Sequence, residues 1–146
     1  MYFCTYPELK EIVRRQWQKL PEKFPNLVLD EFVIMPNHIH GIFIINNVGV
    51  GAIHELPLQN KIERRRMLVP KIVGYFKMNS AKYINKLRNT PGISVWQRNY
   101  YEHIIRNENE LTKIREYIQN NPLKWSLDRE NPNRIGVDVL EDEIFK

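Results

Sequence analysis

The sequence contains a single cysteine, Cys4, among 146 residues. One thiol cannot form an internal disulfide, and no cluster of cysteine and histidine residues has the spacing of a zinc finger. No positively charged start precedes an apolar segment, and no apolar run approaches the roughly 20 residues of a membrane-spanning helix. We therefore expect a cytoplasmic protein that is neither exported nor inserted in a membrane.

Positive charge is in moderate excess and unevenly distributed. The chain has 22 Lys and Arg residues against 17 Asp and Glu, giving a net charge of +5, which favours a polyanionic partner. Basic residues concentrate in "KIERRRMLVPK" and "YFKMNSAKYINKLR". The candidate DNA-binding residues from these segments are Arg64, Arg65, Arg66, Lys77 and Lys82. The alternative for any such charged run is an ordinary solvated face.

The first half of the chain predicts a helix and a pair of strands within one domain of 146 residues. Apolar residues recur at helical spacing in "TYPELKEIVRRQWQKL", where Thr5 and Glu8 match a capping box. "NLVLDEFVIM" and "HIHGIFIIN" predict two antiparallel strands joined at Pro36-Asn37. Residues 46–68 lack periodicity, and we expect a flexible basic loop there.

The second half predicts two more helices and a further strand. Helical spacing runs from Pro70 to about Arg88, and "TPG" ends it. "ISVWQRNYYEHII" has the composition of a third strand, so cross-strand packing is expected for Tyr100, Tyr101 and His103. "NENELTKIREYIQNNP" predicts a third helix, with Asn107 and Glu110 as its capping box and Pro122 as its stop. Residues 127–146 are expected to form a loosely packed tail.

Two histidines lie one residue apart in "FVIMPNHIHGIFII". Side chains two apart on a strand point to the same side, so His38 and His40 could bind one metal ion while Ile39 faces the core. Taken alone, this spacing is a weak signal. Two ordinary core or surface histidines are the alternative.

The third predicted helix carries a second pair of candidate residues. Tyr117 and Asn121 are four residues apart and therefore lie on one helical face, where the amide oxygen of Asn121 could supply a third metal ligand. Because Asn121 precedes Pro122, which disfavours α geometry, we expect it at a fraying helix end. The alternative for Tyr117 is an ordinary core tyrosine.

Together, "MPNHIHGI" and "VWQRNYYEHIIRNENELTKIREYIQNNPLKW" resemble the HUH single-tyrosine transposases, specifically the REP-associated tyrosine transposase branch, over roughly residues 8–125. The resemblance implies an α+β fold, with a ferredoxin-like antiparallel sheet, helices on one face and the tyrosine-bearing helix over the metal site. It implies that His38, His40 and Asn121 bind Mg²⁺ or Mn²⁺. It also implies that Tyr117 is the catalytic nucleophile.

The activity implied by the resemblance is metal-dependent cleavage and joining of single-stranded, hairpin-forming repeat DNA through a 5′-phosphotyrosine. A domesticated or truncated protein that binds the hairpin without cutting is the alternative. It is favoured by "MYFCT", which stands where the family usually has a first strand and a further segment. A metal hydrolase without a tyrosine nucleophile is a third hypothesis. No membrane partner is expected, and the sequence leaves monomer and homodimer open.

Overall fold

The structure, a computed structural model, describes residues 6–46 and 68–144. Within these residues the α-helices are α1 (Pro7–Gln18), α2 (Leu20–Lys23), α3 (Leu68–Arg88), α4 (Glu108–Asn120) and α5 (Val139–Ile144), the strands are β1 (Leu27–Ile34) and β2 (Ile39–Ile45), and a 3₁₀ helix covers Asn121–Leu127. The mixed α+β architecture with an antiparallel sheet and a C-terminal helix confirms the predicted fold class.

The predicted hairpin is confirmed. β1 and β2 pair with each other, and the backbone N–H of Met35 donates to the carbonyl of His38 at 2.8 Å across the turn. Met35 is fully buried, which fixes the turn against the interior. The turn therefore sets His38 immediately before β2, with His40 two residues further on.

The predicted third strand is wrong. Residues 93–105 form no strand, and the sheet in the described part of the chain has two strands. Tyr101 and Ile104 are 66% and 74% exposed, and Nε2 of His103 lies 2.6 Å from Oε1 of Glu110. Strand-like composition reflects a preference for packing on a sheet surface, and it does not supply the neighbouring strand with which a segment must pair. The expected cross-strand packing of Tyr100, Tyr101 and His103 fails for the same reason.

The chain divides into two compact units, and the single domain expected from its length stays a prediction. Among the described residues, one unit contains residues 6–10, 30–43 and 98–144, and the other contains residues 11–29, 44–46 and 68–97.

The second unit is organised by α3, whose predicted position is confirmed. Its Phe76 is buried and packs edge-on against Trp17, with ring centroids 6.1 Å apart. The indole N–H of Trp96 donates to the hydroxyl of buried Ser80 at 2.8 Å. Burying a hydroxyl that forms hydrogen bonds costs far less free energy than burying an unpaired one. This bond therefore stabilises the packing of the residues that follow α3.

In the first unit, α4 begins with the predicted cap. The side chain of Asn107 accepts a hydrogen bond from the backbone N–H of Glu110 at 2.9 Å. The carboxylate of Glu110 accepts in return from the N–H of Arg106 at 2.7 Å, one residue earlier than in a standard capping box.

The end of α4 is more ordered than the sequence predicts. Asn121 keeps α geometry, with φ −59° and ψ −40°, although a proline follows it. Its side chain is 1% exposed, so the predicted fraying is wrong. The chain continues directly into the 3₁₀ helix, and burial of Asn121 outweighs the local preference against α geometry before proline.

The segment after the 3₁₀ helix is packed only in part, because Ile135 and Val137 are 84% and 56% exposed. The loosely packed tail expected for residues 127–146 stays a prediction. Leu140 and Ile144 of α5 pack against a buried cluster formed by Ile42, Ile114, Tyr117 and Ile118. The buried charged residues of this segment are Asp128, Asp138 and Glu141. Leu140 and Ile144 thus add to a core built by residues distant in the sequence.

Several predictions lie outside the described residues. These are the capping role of Thr5, most of the expected loop at residues 46–68, and Arg64, Arg65 and Arg66. Among the helices that the structure does describe, none is both long and apolar enough to cross a membrane.

A bidentate ion pair joins β1 to α4 in the first unit. Nε of Arg115 donates to Oδ1 of Asp30 at 2.9 Å, and Nη2 of Arg115 donates to Oδ2. Beside it, the amide of Gln119 donates to Glu31 at 2.8 Å. The Arg115 hydrogen bonds hold the pKa of Asp30 below its ordinary value, because they favour the charged carboxylate.

We predict that Asp30→Asn lowers the free energy of unfolding at pH 7 and that its difference from the parent is smaller at about pH 3, below the unfolded pKa of the carboxyl. A carboxylate with a depressed pKa stabilises the fold above its unfolded pKa, about 3.9, and loses this effect as the pH falls through the folded value. Urea unfolding followed by tryptophan fluorescence at both pH values measures the difference. Glu116→Gln, at an exposed position of α4, is the control. A difference of equal size at both pH values would refute the role of the ion pair.

Candidate metal and tyrosine site

The two histidines face each other in the first unit. Their Nε2 atoms are 2.9 Å apart, and their rings are nearly perpendicular, at 89°. Nδ1 of His38 lies 2.7 Å from the side-chain oxygen of Asn37, which can only accept, so we assign a proton to Nδ1. In neutral His38, Nε2 then presents a lone pair toward His40. The Asn37 amide is itself anchored, since it donates to the carbonyl of Glu130 at 2.9 Å.

Both imidazoles are held in the neutral form. Burial, together with the smaller effect of the nearby charge of His38, lowers the pKa of His40 to about 3. Burial also lowers the pKa of His38, an effect that the negative charges of Asp128 and Glu130 oppose. Neutral imidazole is the form that binds metal ions. Near neutral pH, metal binding therefore requires only that each ring carry its single proton on the nitrogen that does not face the metal.

Asp128 completes a group that could hold a metal ion. Its Oδ2 lies 3.5 Å from Nε2 of His38, and one ligand atom from each of His38, His40 and Asp128 lies within 4.8 Å of the other two. Asp128 is 2% exposed, and its Oδ2 has no hydrogen-bond donor in the described residues. Asp128 was not predicted from the sequence, because no fixed spacing connects it to His38, 90 positions earlier.

Tyr117 lies against this group and is almost completely buried. Its ring centroid is 5.3 Å from that of His40, and its side chain is 2% exposed. The hydroxyl donates to Oε1 of Glu141 at 3.1 Å, and Glu141 in turn pairs with Arg129, with Nε and Oε1 3.3 Å apart. Burial, with the negative charges of Glu141 and Asp128, raises the pKa of Tyr117 well above its ordinary value. The hydroxyl therefore stays protonated in this arrangement.

Asn121 is buried one turn after Tyr117, as the helical spacing predicts. Its side-chain nitrogen Nδ2 has no hydrogen-bond acceptor in the described part of the chain. An unpaired buried amide nitrogen costs free energy. Asn121 and Asp128 are thus both buried side chains with a polar atom that has no hydrogen bond in the described residues.

The two lysines predicted to bind DNA belong to the second unit and differ in their surroundings. Lys82 is exposed on α3. Nζ of Lys77 donates to the carbonyl of Gln97 at 2.8 Å, and burial lowers its pKa. Lys77 is thus engaged within the protein, and Lys82 is the more accessible of the two. Their DNA-binding role stays a prediction.

Two curated proteins of Haemophilus influenzae are similar to this chain. One, named "Uncharacterized protein", is 42% identical over 127 residues, which are 84% of this chain and 69% of the relative. The chain and this relative belong to one family, whose activity the name does not state. The other, named "Putative REP-associated tyrosine transposase", is 32% identical over 92 residues, or 62% of this chain and 47% of that protein, so the match spans about half of its length. No protein-family model and no solved structure matches the chain.

Proposed function

We propose that this protein is a metal-dependent endonuclease and strand transferase of the REP-associated branch of the HUH single-tyrosine transposases. Its substrate is single-stranded, hairpin-forming repeat DNA, and its intermediate is a 5′-phosphotyrosine. The observation that carries the proposal is the packing of the Tyr117 ring on His40, whose Nε2 faces that of His38 at 2.9 Å. The similarity to the second relative, through that protein's name, supports the same assignment.

The ligand atoms fit Mg²⁺ or Mn²⁺. Asp128 supplies the carboxylate oxygen that these ions favour, and His38 and His40 supply two neutral nitrogens. Asn121 is the ligand that the resemblance to the family implies. When bound, a divalent ion polarises the scissile phosphate and offsets the negative charge that develops on its oxygens. The hydrogen bond from His38 to Asn37 orients the imidazole for this role, as partners behind metal ligands commonly do.

Tyr117 acts as the nucleophile in this proposal. Its oxygen forms a bond to phosphorus while the bond from phosphorus to the 3′-oxygen breaks, which leaves a free 3′-OH and a tyrosine-linked 5′ end. One phosphodiester replaces another, so the reaction can be reversed without ATP. Attack on the phosphotyrosine by a different 3′-OH then joins two strands.

The observed arrangement must open before Tyr117 can react. The tyrosine is 2% exposed and its hydroxyl is held by Glu141, so a phosphate cannot reach the oxygen in this conformation. The tyrosine side chain or α5, which carries Glu141, therefore moves when DNA binds. In the position seen here, Glu141 Oε1 is the group nearest at hand to accept the phenolic proton.

A hairpin-binding protein without cleavage activity is the second candidate. The observation that favours it is the same burial of Tyr117 under α5, because a permanently closed site could not cut DNA. The two candidates differ in whether a covalent protein–DNA adduct forms.

We predict that Tyr117→Phe abolishes the covalent adduct and leaves the fold intact, since it removes one oxygen and keeps the ring that packs on His40. The assay is a denaturing gel of labelled single-stranded hairpin DNA with Mn²⁺. Tyr101→Phe, at an exposed position, is the matched control and should form the adduct like the parent. An adduct with the Phe variant at position 117 would exclude that tyrosine as the nucleophile. A parent that binds but never forms an adduct would favour the second candidate.

His38→Ala should abolish cleavage while hairpin binding changes little, because the histidine serves the chemical step and the basic surface serves affinity. Cleavage gels with Mn²⁺ and binding titrations on the same oligonucleotide separate the two effects. His103→Ala is the matched control, since His103 pairs with Glu110 at the start of α4. If His38→Ala cuts at the parent rate, the histidine pair has no part in the reaction.

Replacing Arg64, Arg65 and Arg66 together by Ala should weaken DNA binding and flatten its salt dependence. Each lost phosphate contact on a single strand removes about 0.7 from the slope of log affinity against log salt concentration. Arg14 and Arg15, replaced together on α1, control for a general loss of positive charge. Binding titrations at several salt concentrations give the slopes, and an unchanged slope for the triple variant would leave these arginines without a DNA contact.

A further inference from the structure

Asp128 has one buried carboxylate oxygen without a hydrogen-bond donor in the described residues. Oδ1 of Asp128 accepts a hydrogen bond from the backbone N–H of Glu130 at 2.7 Å, but Oδ2 has no donor in the described residues. Burying a carboxylate oxygen without a hydrogen bond or a cation is costly, and such atoms in folded proteins call for a physical reason. Nε2 of His38 lies 3.5 Å from this oxygen.

The histidines do not satisfy this oxygen. His38 uses its Nδ1 proton on Asn37, so its Nε2 faces Asp128 with a lone pair. If His40 carries its proton on Nε2, that proton lies on the 2.9 Å line to His38. In either tautomer of His40, Oδ2 of Asp128 stays without a donor. Lone pairs directed at one point are unfavourable unless a cation lies between them.

The spacing of the three atoms suits one cation. Neighbouring ligands of a Mg²⁺-sized ion, each about 2.1 Å from the metal at right angles, lie about 3 Å apart. The histidine nitrogens are 2.9 Å apart, and Oδ2 of Asp128 is 3.5 Å from Nε2 of His38.

We infer that Asp128, from the segment after the tyrosine helix, is a protein ligand of the metal ion beside His38 and His40. The inference deepens the metal site of the proposed function. A carboxylate also gives the site a negative charge, which two imidazoles and an amide would lack, and hard cations such as Mg²⁺ and Mn²⁺ favour such oxygen ligands.

The direct test is Mn²⁺ binding by Asp128→Asn, measured by electron paramagnetic resonance of free Mn²⁺ without DNA. The affinity should fall by at least about tenfold, the lower end of the loss seen even for partners behind the ligands. Asp138→Asn is the matched control, since Asp138 is also buried in this segment but pairs with Lys124. Its Mn²⁺ affinity should stay close to that of the parent, because Asp138 is not part of the group formed by His38, His40 and Asp128. Parent-like affinity in Asp128→Asn would overturn the inference, as would a loss confined to Asn121→Ala.

A second measurement uses the unaltered protein and does not depend on whether a variant folds. In isotope-labelled protein, Mg²⁺ should shift the ¹³Cγ signal of Asp128 more than that of Asp138, the buried aspartate that pairs with Lys124. The opposite pattern would overturn the inference.

The outcomes also distinguish the ligand assignment from the proposed function. If the parent binds Mn²⁺ through Asp128 but forms no DNA adduct, the proposed function fails and the assignment stands. If the parent forms the adduct while Asp128→Asn binds Mn²⁺ equally well, the function stands and the assignment fails.

Discussion

The arrangement of the site depends on the tight turn between β1 and β2. The hydrogen bond from Met35 to His38 and the burial of Met35 set where the second strand begins. Because side chains alternate along a strand, this register brings His38 and His40 to the same side. If the strand register shifted by one residue, Ile39 and Gly41 would take the positions of His38 and His40. The position of this turn therefore determines whether the two histidines can lie together.

Opposite the hairpin, the end of α4 and the segment after it enclose the histidines. Tyr117 packs on His40, Asp128 approaches His38, and Glu141 holds the tyrosine hydroxyl. The same segment therefore provides one carboxylate, Asp128, beside the histidines and another, Glu141, at the hydroxyl of Tyr117. Under the proposed function these contacts have opposite consequences, because the first supports the metal ion and the second must be released before Tyr117 attacks DNA.

The sequence predicted features that depend on local pattern. The hairpin, the extent of α3 and the Asn107 cap follow from turn residues, periodicity and capping preferences, and all are present. The strand expected at residues 93–105 is absent, because composition cannot supply a pairing partner. Asp128 and Glu141 were missed for a related reason, since their roles depend on contacts with residues distant in the sequence. The burial of Asn121 shows the same effect, with tertiary packing overriding a local preference.

The central claim is that Tyr117 becomes covalently linked to DNA, and peptide mapping of the trapped adduct tests it most directly. Trypsin cleaves after Arg115 and Lys124, which releases a nine-residue peptide whose only tyrosine is Tyr117. After nuclease digestion, mass spectrometry of the parent protein should find the nucleotide remnant on this peptide. A remnant on a peptide containing another tyrosine, or DNA cleavage without any remnant, would contradict the account.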